Sequence, residues 1–238
     1  MGGPFPTISY AMETPLTVAA MFTRNLVKAA PVVLGQQRSA NGLCQAVIVN
    51  SGNANCCTGD QGMNDAKDMA RLAGIQLKIS EDMVLVASTG VIGEPLPIAR
   101  IEASIPALVQ ALDADGIHDF AKAIMTTDTM PKTSFAQQQV NGKPFSVMGV
   151  AKGAGMIRPD MATMLCFIVT DIAVKQKTLD STLKGAVSNS FNSITVDGDR
   201  STNDTVLVMA NGMLGNMPVT ERSAAYHVFK RALDDVAY

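Results

Sequence analysis

Short runs of apolar, β-branched residues alternate along this chain with stretches whose apolar positions recur every three or four residues. That alternation is the pattern of strands interleaved with amphipathic helices, and it predicts layered α/β architecture. Strands are expected at 17–22, 46–50, 84–87, 135–140, 145–151, 163–170 and 205–210. Asn141-Gly142 separates two of these runs. That dipeptide readily supplies positive φ at both corners of a type I′ turn, so 135–140 and 143–151 are predicted to form a hairpin. Helices are expected at 62–73, 97–112, 118–125, 178–189 and 220–236. Ser80 with Met83 and Thr220 with Ser223 lack the acidic third residue of a capping box, which leaves the helix starts undefined by a few residues. The chain has no internal repeat, low-complexity tract or charge block, so its chemistry has to come from local motifs.

Composition narrows the class. Of 238 residues, 47% are hydrophobic and 17% charged, too apolar for disorder and enough for one large core or two modest ones. Nineteen Lys and Arg against 21 Asp and Glu leave a formal charge of -2, without the basic excess that nucleic-acid binding requires. The apolar run from Met164 to Val169 is far below the roughly 20 residues that span a bilayer, so no membrane span is expected. The first positive side chain is Arg24, which does not make a secretory leader, and the expected compartment is the cytoplasm.

Cys44, Cys56, Cys57 and Cys166 form no CxxC pair, and only His118 and His227 could complete a zinc site, so structural zinc is not expected. Cys56 and Cys57 read as small, semi-buried thiols. The two histidines sit in a polar stretch and in a helical pattern, where they read as surface or helix-face residues rather than members of a catalytic triad.

Gly, Asn, Ser and Thr concentrate in five segments: 49–62, 87–97, 124–132, 151–165 and 190–205. The first lacks the lysine of a phosphate loop, and Gly153-Ala154-Gly155 lacks the third glycine of a dinucleotide fingerprint. Asp197, Asp199, Ser201 and Asn203 alternate like the start of a calcium loop, but the glycine at its sixth place and the glutamate at its twelfth are missing. A self-hydrogen-bonded turn leading into the strand TVLVMA is the simpler reading. In segment 151–165, two glycines flank Ala154 and Pro159 biases Arg158 toward an extended conformation. Thr163 opens the apolar run MLCFIV, either as a β-branched edge residue or as a hydroxyl held at a strand end.

STGVIG at 88–93, IMTTDT at 124–129, KGAGM at 152–156, DMATML at 160–165, and SFNSITVDGD with STNDT over 190–205 together resemble the ornithine acetyltransferase family, the bifunctional proteins of arginine biosynthesis. TRNLVKAAPV at 23–32 and VNSGNAN at 49–55 match it in the same order.

The resemblance implies an α-β-β-α sandwich of the self-processing ornithine acetyltransferase/aminopeptidase type. It implies one precursor cut between Ala162 and Thr163 into an amino-terminal segment 1–162 and a second segment 163–238. Thr163 would then be an amino-terminal nucleophile whose own α-amine, with a reference pKa of about 7.7 to 8.0, takes the hydroxyl proton. By the same resemblance Thr89 and Gly90 form an oxyanion hole, and Thr126 and Lys152 contact substrate, Lys152 as a charge partner for a carboxylate. The implied reaction moves acetyl from N2-acetyl-L-ornithine to L-glutamate through an acetyl-threonine, with acetyl-CoA as a further donor in some members. No metal or organic cofactor is implied, the partners are small molecules, and the processed chains are expected to form an α/β heterotetramer. Family chains continue past RALDDVAY and supply further substrate contacts there, and MGGPFPTISYAMETP stands where a fuller first strand is expected, so a fragment with an incomplete pocket is anticipated. The competing readings are a self-processing aminopeptidase or amidase of related fold, and an inactive truncated fragment.

Overall fold

One long strand organises the molecule. In the computed structural model, which describes residues 5–155, 164–193, 197 and 199–238 with side chains from Thr14 onward, β1 (Phe5–Phe22) runs for 18 residues. The expected strand at 17–22 is only its final third. Its earlier part pairs antiparallel with β2 (Leu43–Asn53), from Phe5 opposite Ser51 to Thr17 opposite Leu43. Its last residues pair antiparallel with β7 (Thr205–Ala210), from Thr17 opposite Ala210 to Phe22 opposite Thr205. The register slips between Ile8 and Tyr10 and again between Ala11 and Leu16, irregularities that bend a strand and increase its twist.

The remaining strands extend from the two partners of β1. β3 (Val84–Val91) lies parallel to β2. β6 (Leu165–Thr170) lies parallel to β7, and β5 (Lys143–Lys152) and β4 (Lys132–Val140) follow antiparallel, giving the order β3-β2-β1-β7-β6-β5-β4. The predicted hairpin joins β4 and β5, with Asn141 at φ 53 and Gly142 at φ 76.

Side-chain alternation shows that the sheet is folded on itself. Val47, Val49, Leu85 and Ala87 from β2 and β3 share one apolar cluster with Val150, Leu165, Phe167, Leu207 and Met209 from β5, β6 and β7. Strands that are not sheet neighbours therefore face one another across an inner layer. Their alternate residues face outward. Ala46, Ile48, Val84 and Val86 meet Met69 and Ala70 of α2 (Gly59–Leu77) and Ile101 and Ile105 of α3 (Ile98–Gln110). Phe145, Val147, Ile168 and Val206 meet Leu179 and Leu183 of α5 (Gln176–Asn189) and Phe229 and Leu233 of α6 (Tyr226–Ala237). The result is helix, sheet, sheet, helix. The short α4 (Ile117–Ala123) enters the inner layer with Phe120, whose ring meets Phe167 edge-on at 5.4 Å.

Three local expectations change. α1 (Ala30–Ser39) lies where no helix was expected. A single tight turn at Glu81–Met83 follows Ser80, with no side-chain cap. The last helix starts at Tyr226 rather than 220, because the Thr220 N–H donates to Ser223 Oγ at 2.9 Å and Ser223 N–H returns to the Thr220 carbonyl at 2.9 Å, closing a turn instead of opening a helix.

Candidate active site

Strand parity brings a set of polar side chains together at one end of the inner layer. On β3 the inward positions run Leu85, Ala87, Thr89, and on β5 they run Val150, Lys152. Thr89 is 5% exposed and Lys152 only 3%. The Lys152 ammonium donates to Thr89 Oγ1, so the apolar layer ends in an ammonium–hydroxyl pair. Burial pulls the Lys152 pKa down to about 8, against the opposing pull of Asp128 and Asp204 and with a smaller contribution from Lys132.

Gly90 follows at φ 135, opposite Gly52 on β2. A Cβ there would fall 2.1 Å from the Gly52 carbonyl carbon, so the close approach of the two strand ends requires glycine. The loops after β2 and β3 are held by side chains acting on backbone. Asn50 Nδ2 donates to the Asn53 carbonyl at 2.8 Å, Asn53 Nδ2 reaches the Glu94 and Pro95 carbonyls at 3.1 Å, and Ser88 Oγ donates to Asn50 Oδ1. Asn203 ties the loop after β2 and strand β3 to the start of β7, its Nδ2 donating to the Ala54 carbonyl at 2.7 Å and the Ser88 carbonyl at 2.8 Å. The asparagine-rich motif at 49–62 is thus scaffold for Thr89 and Gly90.

The segment bearing Thr126 is tethered from two sides. Ser51 Oγ donates to the Met125 carbonyl at 2.9 Å, and Asp128 Oδ1 accepts the Gly153 N–H at 2.8 Å and the Lys132 ammonium. Burial works against the charged Asp128, but those bonds outweigh it and hold the carboxyl below its ordinary range. Thr126 itself is exposed, and its N–H points to Asp128 Oδ2 at 3.5 Å.

Asp204 completes the polar end. It is fully buried, and its Oδ1 accepts the Met164 N–H at 3.1 Å. Burial lifts its pKa to about 7, despite lowering by the Met164 N–H, the Ser201 and Thr23 hydroxyls and the charge on Lys152. A cavity of about 510 Å³ opens on the outer, α6-facing side of β5 and β6, with Lys132, Lys152, Gly153, Met164, Phe191 and Tyr238 in its wall; Thr89, Gly90 and Asp204 do not line it. A buried ammonium and a hydroxyl beside close-approaching backbone can bind an anionic group and stabilise negative charge on oxygen.

Of the residues singled out in the sequence, Thr89, Gly90 and Lys152 come together, and Thr126 sits on a loop bonded to the same end. Ala162 and Thr163 lie outside the described residues, as does the bond between them; Met164, which follows, lies at the site. Asp128, Asn203 and Asp204 carried no role in the sequence reading. The signal for Asn203 and Asp204 was a polar run, STND, directly ahead of a buried strand, with Ser201 through Thr205 all buried, and Asp128 lies in the TTDT motif. The turn expected before that strand is present: Asp199 N–H donates to Asp197 Oδ1 at 3.2 Å and Asn203 N–H to Ser201 Oγ at 3.1 Å. Among the described residues, no group of three or more His, Cys, Asp and Glu is placed to hold a metal ion, and no helix is long and apolar enough to cross a membrane. Cys44, Cys56 and Cys166 are buried and Cys57 is exposed, all four as free thiols.

A model of the ArgJ family matches residues 7–238. The chain is 51% identical to the arginine biosynthesis bifunctional protein ArgJ of Geobacter sulfurreducens and 53% identical to that of Symbiobacterium thermophilum, covering 94% of this chain in each case. It spans 57% of the length of the first and 56% of the second. Among solved structures, ArgJ from Bacillus halodurans superimposes with a TM-score of 0.57 at 42% identity, over 65% of this chain and 80% of that one. The ornithine acetyltransferase of Mycobacterium tuberculosis, solved with ornithine, gives 0.52 at 34% identity over 66% and 79%. An L-aminopeptidase D-Ala-esterase/amidase from Ochrobactrum anthropi, described as a variant of the Ntn-hydrolase fold, gives 0.53 over 95% and 72%; at 15% identity this likeness is one of fold.

Proposed function

The chain belongs to the ArgJ family, and from that premise we propose that it transfers acetyl from N2-acetyl-L-ornithine to L-glutamate through an acetyl-threonine on Thr163. The observation that carries the reading to particular residues is the bond from the buried Lys152 ammonium to the Thr89 hydroxyl. That bond occupies an acceptor lone pair of Thr89 and leaves its O–H available to donate elsewhere. Gly90, with no side chain between its backbone and the neighbouring strand end, supplies an N–H beside it. Together they suit an oxyanion hole, in which each preorganised donor contributes about 3 to 4 kcal/mol to the transition state.

Thr163 precedes Leu165, an inward residue of β6, by one strand period in the sequence. In the precursor its hydroxyl attacks the Ala162 carbonyl, the peptide nitrogen leaves as the α-amine, and water hydrolyses the resulting ester. In the acetyl cycle that amine takes the hydroxyl proton as Oγ attacks the acetyl carbonyl of acetylornithine, and ornithine departs with a proton. The amine of glutamate then attacks the acetyl ester, releasing N-acetylglutamate and restoring Thr163. Lys152, whose ammonium meets the Thr89 hydroxyl, pairs with a substrate carboxylate, and Thr126 contacts substrate from its tethered loop. The acetyl group is carried on the protein, so the cycle uses no organic cofactor or metal. Acetyl-CoA as a second donor, a heterotetramer of processed chains and action in the cytoplasm belong to the same reading.

Intact mass under denaturing conditions tests the central step. The chain is expected to divide into 1–162 and 163–238, with Thr163→Ala remaining whole. Incubation with acetylornithine should then add one acetyl mass to the fragment that begins with Thr163, and glutamate should remove it as N-acetylglutamate rather than as free acetate. A Thr163→Ala variant that still divides at that bond would overturn the assignment.

A further inference from the structure

Two thiols converge on the loop between β2 and α2. Cys56 Sγ and Cys57 Sγ lie 3.8 Å apart. In extended chain successive side chains point to opposite faces, so bringing neighbours together takes a turn of the backbone. Asn55 at φ 47 and Cys57 at φ 60 supply it, two left-handed residues on either side of Cys56. A left-handed cysteine persists only where its surroundings fix it, and here several bonds do. The Asn55 N–H donates to Asn53 Oδ1 at 2.7 Å, its Nδ2 to the Gly62 carbonyl at 2.8 Å, and its carbonyl accepts the Ala30 N–H at 3.1 Å. The Cys56 carbonyl accepts the Gly93 N–H at 2.9 Å. The two sulfurs are thus held side by side before any ligand arrives.

Their spacing suits a bridging atom better than a disulfide. Neighbouring Cα atoms lie about 3.8 Å apart, whereas disulfides span about 4.4 to 6.8 Å between Cα atoms and need sulfurs about 2.05 Å apart. One thiophilic atom with tetrahedral bonds of about 2.3 Å, the length of a zinc–thiolate bond, holds two sulfurs roughly 3.8 Å apart. Structural zinc takes four ligands, and among the described residues no group of three or more His, Cys, Asp and Glu is placed to hold a metal ion. Trivalent arsenic needs only two thiols, its third bond going to carbon or oxygen.

Access sets the order of bonding. Cys57 is exposed, while Cys56 is buried and its thiol is pushed up by that burial against a hydrogen bond shared with the Thr202 side chain. Cys44 and Cys166 are buried and pushed up to about 12, so neither competes.

We propose that Cys56 and Cys57 form a capture site for trivalent arsenicals, Cys57 bonding first and Cys56 closing the ring. With an organoarsenic oxide, two S–H bonds break and two As–S bonds form, and the oxygen leaves with both protons as water. Nothing is oxidised or reduced. The site goes beyond the acetyl-transfer reading and stands without it, although its loop is bonded to the one that follows Thr89 and Gly90, Ala54 N–H donating to the Val91 carbonyl at 2.8 Å.

Phenylarsine oxide, read by intact mass, tests the site on the whole protein. One equivalent should add the mass of the reagent less one water. If the chain divides at 162–163 the mass should appear on the piece holding residues 56 and 57, so the result does not depend on what Thr163 does. Excess 2-mercaptoethanol should leave the adduct in place and dithiothreitol should remove it, because only a second dithiol can replace both As–S bonds with a ring of its own. Cys57→Ser and Cys56→Ala each leave one thiol, and retention through the 2-mercaptoethanol wash should fall at least tenfold in both. A wild-type protein that takes up no arsenic, an adduct stripped by 2-mercaptoethanol, or either variant holding arsenic as the wild type does overturns the site. So does an adduct that peptide mapping places on Cys44 or Cys166.

Discussion

Lys152 sits where an ammonium is poorly solvated, and two consequences pull in opposite directions. The unfolded chain holds the Lys152 proton up to about pH 10.5, whereas the folded state releases it near 8. Below pH 8 both states are protonated and the folded one bears the full desolvation burden. Between 8 and 10.5 the unfolded chain binds more protons, so stability rises with pH there. Lys152→Met should flatten this part of the stability curve in denaturant titrations between pH 7 and 10. The same variant should raise KM for acetylornithine steeply if Lys152 pairs with a carboxylate. A lysine that served only the fold would change the first measurement and not the second. Lys152 was legible as a candidate because its motif resembled a family. Its burial and its bond to Thr89 were not legible, since an isolated lysine in a sequence reads as solvated.

At the scale of elements, the β4–β5 hairpin was readable from Asn141-Gly142 alone, because its turn is set by local backbone preference. Gly142 has φ 76, and a Cβ added there would meet nothing within 4 Å. Any penalty for Gly142→Ala is therefore conformational, about 1 kcal/mol, and should appear as a lower midpoint of unfolding with a smaller loss in Gly142→Asn, which tolerates positive φ better. α1 shows the opposite case. Its segment APVVLGQQRS mixes a proline, a β-branched pair and a glycine, and signals no helix. Contacts make it one: a Cβ at Gly35 would fall 2.9 Å from the Phe22 ring, and Arg38 Nη1 donates to the Val84 carbonyl at 2.9 Å. The strands at 84 and 205 start where periodicity put them, whereas β1 is three times the length expected because its earlier part is stabilised by pairing with β2.

Across the whole molecule, the inner layer joins the two halves and positions the site. Phe167 lies within it, 3% exposed, between the strands that lead to Lys152 and the helix that carries Phe120. Phe167→Ala should destabilise the protein by roughly 3 to 5 kcal/mol, measured by denaturant unfolding, since a cavity opens in a layer that neither sheet can collapse to fill. Composition and alternating patterning determined the layered α/β class, the hairpin, most strand positions and the motifs that resembled a family, because these depend on residue type and local spacing. Only the tertiary structure decided that β1 bends to serve both halves of the sheet, that Thr89 and Lys152 share one buried bond, and that Asp204 binds the Met164 N–H. These contacts join residues some 40 to 60 positions apart, and which of them meet depends on strand order and facing, which no short window of sequence contains.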